Sequence, residues 1–198
     1  MILVDETSVP GALLPVEQFK AHLRLGTGFS DDSVQDAVLE SFLRAALAAI
    51  EARTGKVILR REFTWSLTAW RDSRGQALPV APVNAIVEVI ITDRLGGTEA
   101  VEPSLYRLAK DEQRPRLLPT GFMLPTVPVG GSVDVTFSAG YANVWSDLPE
   151  DLAQAVLLLA AHYYEYRHET QLGQGCMPFG VSSLIERYKT VRLLGGSA

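Results

Sequence analysis

The spacing of apolar and polar positions along this chain changes period twice. In LPVEQFKAHLRL (residues 14 to 25), Val16, Phe19 and Leu23 recur at steps of four and three, the mark of a one-sided helix. Gly26 and Gly28 interrupt it. Ser30 and Asp31 then offer N-caps for a long second helix over residues 31 to 54. That helix carries two apolar stripes. Val34, Val38, Phe42, Ala45 and Ala49 form one, and Leu39, Leu43, Ala46 and Ile50 the other, which predicts a broad buried face. Gly55 stands where a left-handed residue would end the helix.

Between residues 57 and 140 the period falls to two. Phe63, Trp65, Leu67 and Ala69 alternate with Glu62, Thr64, Ser66 and Thr68, as in a half-buried strand. In LPVAPVNAIVEVIITD two prolines precede an extended run expected to place Val87, Val89 and Ile91 on one face. RLGGTEAV supplies a Gly-Gly turn into a further strand. EPSLYRLAKDEQRPRLLPTG reads as a short strand, a polar hairpin tip and a return strand. GSVDVTFSAGY alternates again, with Val133, Val135 and Phe137 inward.

The helical period returns over residues 148 to 168, where Asp147 and Glu150 resemble a capping box. Leu152, Val156, Leu159, Tyr163 and Tyr166 make one seam, and Ala153, Leu157, Ala160 and Tyr164 a second. Two seams predict cover on two sides, by the chain's own core or by a neighbouring subunit, and the pattern leaves both open. A Gly-rich loop (171 to 180), a short helix from about Val181 and a tail follow. Helices, then strands, then helices read as α+β: a small helical bundle with an antiparallel β-rich middle. The expected organisation is one domain over residues 1 to 180, with a C-terminal helix and docking arm over 181 to 198.

Composition narrows the function classes. A formal charge of −5 argues against a broad basic face gripping nucleic acid, though it suits a wall past which DNA slides. The single cysteine, Cys176, excludes an intrachain disulfide framework. The longest apolar run, Ala155 to Ala161, is far short of the roughly 18 residues that span a bilayer. With no N-terminal signal, a soluble protein of a reducing compartment is expected. Residues 187 to 198 hold Arg187, Lys189 and Arg192 and no acid, so the end is apolar and basic together, as a docking arm would be.

Reactive constellations are weak. His162 and His168 lie roughly 240° apart on a helix and share no face. His162 with Glu165 is a single metal-ligand pair lacking a second helix of partners, so a small metal enzyme is one alternative. Cys176 in GQGCMPFG has no flanking nucleophile motif, and no serine sits in a nucleophile elbow. Gly55-Lys56 lacks the upstream glycine of a phosphate loop, with Ile50 in its place. A DNA-binding module using Arg60, Arg61, Arg71, Arg74 and the basic tail is the other alternative. No catalytic residue and no cofactor is assigned.

The order of residues resembles the head–tail connector (adaptor) proteins of long-tailed bacteriophages and related gene transfer agents. The resemblance runs over nearly the whole chain. It covers the helix pair ending EARTGK, the LTAW strand, LPVAPVNAIVEVIITD, the Tyr-Arg-Leu at 106 to 108, and above all VTFSAGY…LPEDLAQAVLLLAAHYYEYR. It implies a non-enzymatic particle subunit without cofactor, metal or membrane contact. The implied assembly is a ring, usually twelvefold, that binds the portal protein and a tail-side neck protein of stopper or head-completion type. DNA would pass through its channel without specific recognition. The expected location is the head–tail joint of a virion or gene-transfer particle, and the host cytoplasm during assembly.

Carried onto this chain, the resemblance makes residues 181 to 194 the portal-contact segment, with candidates Leu184, Arg187, Tyr188, Lys189, Arg192, Leu193 and Leu194. It makes Tyr163, Tyr164, Tyr166 and Arg167 the subunit-interface candidates. Residues 94 to 130 depart from the family pattern.

Overall fold

A computed structural model describes residues 1–24, 33–167 and 177–189. The fold is α+β, and the chain divides into two compact units, each built from non-contiguous segments. One comprises Met1–Ser8 and Leu59–Asn143; the other comprises Val9–Ile58 and the described residues from Val144 on. The boundary expected at residue 180 falls inside a helix of the second unit.

The first unit is β-rich. Strands β1 (Ile2–Asp5), β2 (Arg61–Leu67), β4 (Val83–Thr92), β5 (Thr98–Ala100) and β8 (Ser132–Ala139) form an antiparallel sheet in the order β1-β2-β8-β4-β5. Strands β3 (Gln76–Ala77), β6 (Tyr106–Ala109) and β7 (Arg116–Pro119) form a second, in the order β3-β7-β6. The predicted alternation holds in β2 and β8: Phe63, Trp65, Leu67, Val133, Val135, Phe137 and Ala139 are all buried. The Phe63 and Phe137 rings stack with centroids 5.8 Å apart.

Strand β1 carries no period-two alternation in Ile-Leu-Val-Asp to mark it, and two strand expectations are corrected. Ala69 is exposed and lies beyond the end of β2. Val87 does not share a face with Val89 and Ile91; it is 50% exposed. The cause is a pair of register shifts in β4, between Val83 and Ala85 and between Ile86 and Glu88. Each adds a residue opposite β8 and moves the period, so Val83, Ile86, Val89 and Ile91 oppose the inward residues of β8. The Gly-Gly turn is as expected: Gly96 has φ +87° and the Asp93 carboxylate accepts the Leu95 and Gly97 N–H groups at 2.7 and 2.8 Å.

Gly140, in the Ala-Gly-Tyr that ends β8, has a local reason to be glycine. Its φ is +143°, and a Cβ there would lie 2.4 Å from the Arg60 Cα. Only a bare backbone passes.

The second unit is helical, with α1 (Val16–His22), α2 (Ser33–Thr54), α3 (Glu150–Glu165) and α4 (Phe179–Ile185). Helix α3 packs against α2 and α4, and α1 against α2. The core comprises Phe19, Leu39, Leu43, Ala46, Ile50, Leu152, Val156, Leu159, Ala160, Val181 and Ile185. At about 1.5–3 kcal/mol for each large side chain taken from water, this face dominates the unit's stability.

Only one of the two predicted α2 stripes is buried. Leu39, Leu43, Ala46 and Ile50 have no exposed surface, whereas Val38 is 42% exposed and Ala45 is exposed. Gly55 ends α2 as expected, with φ +70° and its N–H on the Glu51 carbonyl at 2.8 Å. The Glu51 side chain also accepts the Ile58 N–H at 2.8 Å, fastening the exit. The capping box expected at Asp147 and Glu150 does not form. Pro149 is the N-cap of α3 and makes no side-chain cap bond, because a proline ring offers no acceptor. The N-cap candidates Ser30 and Asp31, and the Gly-rich loop up to Cys176, lie outside the described residues.

Candidate functional site

The aromatic end of α3 divides into groups with different environments. Tyr164 is half-buried and meets Phe42 of α2 edge-to-face, with centroids 5.8 Å apart and planes at 84°. The Arg167 guanidinium lies over the Tyr164 ring at 4.5 Å and donates to the Tyr164 carbonyl at 2.9 Å. Tyr164 is therefore held within the unit. Tyr163 is half-buried, and loss of solvent pushes its phenol pKa up. Tyr166 is 40% exposed and lies against His162 with centroids 4.6 Å apart. Arg167 is exposed. Of the four interface candidates, Tyr166 and Arg167 present the most free surface.

The second cluster joins α3 to the segment after α4. Tyr188, in the 3-10 turn Glu186–Tyr188, is buried, and its hydroxyl donates to Asp151 Oδ1 at 2.7 Å. Arg187 completes the cluster. Its Nε lies 2.8 Å from Asp151 Oδ2, and its terminal nitrogen donates to the Tyr188 hydroxyl. Burial raises the Tyr188 pKa first; the Arg187 hydrogen bond opposes this and the Asp151 bond adds to it.

Asp151 thus has a use that sequence reasoning missed. A carboxylate in the first turn of a helix is already explained by the macrodipole, and nothing in the local pattern links it to a tyrosine 37 residues on. Among the portal-contact candidates, Leu184 and Lys189 are half-buried and Arg187 is exposed, while the Tyr188 ring is occupied inside its own unit. Arg192, Leu193 and Leu194 lie outside the described residues.

The metal-enzyme alternative gains no geometry among the described residues. Among the described residues no group of three or more His, Cys, Asp or Glu side chains is placed to hold a metal ion. No described helix is long and apolar enough to cross a membrane. Of the arginines weighed for DNA contact, Arg61 is committed to Asp5, with Nε to Oδ2 at 2.6 Å.

Solved structures match over the full chain. The neck of an empty gene transfer agent particle, computed with C6 symmetry, contains a chain 52% identical to this one, with TM-score 0.90 and 100% of each chain covered. The chain belongs to the head–tail connector family. A chain in the virion of a native gene transfer agent particle matches this connector at 52% identity and TM-score 0.87, with 99% of each chain covered. One in the neck of a native particle computed with C12 symmetry matches at 48% identity and TM-score 0.86, with 100% of each covered. No protein-family model and no curated protein matches the connector. A connector of this family is a structural component of the particle, and the α3 stretch that best carried the resemblance is the helix on which both clusters are built.

Proposed function

We propose that this connector forms a ring of twelve copies in the neck of a gene-transfer or phage particle and performs no chemical catalysis. It binds the portal protein on one side and a stopper or head-completion protein on the other. The observation carrying this reading is the full-length similarity, at 48 to 52% identity, to chains in necks of sixfold and twelvefold symmetry. The exposed α2 stripe at Val38 and Ala45, with Tyr166 and Arg167 just past the end of α3, supplies surface for a neighbouring copy. Portal contact falls to Leu184, Arg187, Lys189, Arg192, Leu193 and Leu194. Tyr188 acts as an anchor that sets where this segment leaves the helical unit. A net charge of −5 keeps DNA from adhering to the channel wall.

Mixing the protein with its cognate portal and imaging the product tests the reading. A ring seated on the portal is expected. A chain that stays monomeric in the presence of portal, and is absent from purified particles, overturns it.

A further inference from the structure

The five-stranded sheet ends in two unlike edges. β1 and β5 are its end strands, and every residue of both is exposed. β1 is also apolar: Ile2 is 64% exposed, Leu3 39% and Val4 44%. A bare apolar edge is a template for another strand and an aggregation hazard if left open.

The hydrogen-bond phase identifies which groups face outward. The Glu6 N–H donates to the Glu62 carbonyl at 3.0 Å, which continues the β1–β2 register by one position. Bonded pairs alternate with unbonded ones in an antiparallel ladder. Ile2 and Val4 therefore bond to β2, and the N–H and C=O groups of Leu3 and Asp5 point away from the sheet. On β5, bonds from Asp93 to Gly97 and from Val101 to Val89 set the phase. There the backbone groups of Thr98 and Ala100 point outward. Each edge offers two such residues, two positions apart.

We propose that β1 of one copy pairs with β5 of the next, continuing the sheet from subunit to subunit around the ring; this rests on the ring reading above. A cyclic ring needs two unlike surfaces that meet head to tail, and two different edges of one sheet are such a pair. Four antiparallel steps separate β1 from β5, so the two run in the same direction within a copy. One step of a twelvefold axis turns a strand by at most roughly 30°, within the twist between neighbouring strands. The new pair is parallel.

Its register follows from matching the outward-facing backbone groups. In a parallel ladder the outward-facing Leu3 sits opposite Glu99, with its N–H on the Thr98 carbonyl and its carbonyl on the Ala100 N–H. This places Val4 opposite Ala100 and Ile2 opposite Thr98 on one face. Moving the strands by two residues sets Asp5 against Glu99, a like-charge pair that disfavours the shift.

Proline substitution separates edge pairing from folding. The Leu3 and Ala100 N–H groups face away from the chain's own sheet, so Leu3→Pro and Ala100→Pro remove only bonds to another copy. Both variants should melt like the wild type yet enter particles at least tenfold less. As a second measurement, Val4→Cys with Ala100→Cys, in a Cys176→Ser background, should join neighbouring copies through a short thiol cross-linker in assembled particles. Proline variants that enter particles at the wild-type level overturn the edge pairing and leave the ring intact. Cross-links to a different particle protein overturn it as well. A wild-type chain missing from particles overturns the ring reading itself and this pairing with it.

Discussion

Replacing Tyr188 by phenylalanine removes one hydroxyl and leaves the ring in its buried seat; the bonds of that hydroxyl to Asp151 and Arg187 are lost, while the Arg187–Asp151 ion pair still ties the C-terminal segment to α3. The hydroxyl donates to a carboxylate at 2.7 Å. A hydrogen bond to a charged partner contributes about 1.5–3 kcal/mol. Asp151 keeps Arg187 at 2.8 Å and its side chain is 23% exposed, so water and the guanidinium recover part of the loss. The lower end, about 1.5 kcal/mol, is expected, or a fall in melting temperature of about 3–6 °C for a chain of this size. Asp151→Ala, which removes the acceptor together with the Arg187 ion pair, should cost at least as much. The double variant should cost less than the sum by about 1 kcal/mol, because both changes break the same bond. Thermal melts followed by circular dichroism at 222 nm read all three.

The pH dependence supplies a sign. The folded Tyr188 pKa is raised above its ordinary value of 10.0. Its contribution is therefore complete below the unfolded pKa and is lost as pH rises through the folded one. The stability gap between wild type and Tyr188→Phe should narrow above about pH 10. Strict additivity of the two single variants, or a Tyr188→Phe variant as stable as the wild type at pH 7, refutes the clasp.

Gly140→Ala should be among the most damaging small substitutions, costing about 3 kcal/mol from backbone strain and overlap with Arg60; a melting temperature within a degree of wild type contradicts the geometry. Leu159→Ala should cost about 2–5 kcal/mol, because Leu159 is 1% exposed in the α3 core. Phe122, 96% exposed, should tolerate serine within about 0.5 kcal/mol by the same melt. Deleting residues 190 to 198 should leave the melting temperature unchanged and weaken portal attachment in a pull-down. Parallel loss of both contradicts the division between anchor and contact segment.

Legibility in the sequence followed the strength of the period. Strand β8 and the buried face of α3 were readable because each repeats one period without interruption. β4 was readable as a strand but not as a face, since two register shifts, between Val83 and Ala85 and between Ile86 and Glu88, move the phase and no residue type announces them. β1 escaped because four consecutive apolar residues carry no alternation, and only the pairing with β2 makes them a strand. In α2 both stripes were visible; which one the chain itself would bury depends on α1 and α3, elements distant in sequence. At the site, Tyr163, Tyr164 and Tyr166 were recognisable as packing residues rather than as chemistry. That Tyr164 meets Phe42, and that Asp151 holds Tyr188, are contacts between segments that local spacing does not encode.

Electron cryo-microscopy of the protein's own native particle tests the central claim most directly. The account predicts a twelvefold ring at the neck into which this chain fits, with residues 181 to 194 toward the portal and a continuous opening along the axis. A neck reconstructed to side-chain detail in which no density matches this chain would contradict it.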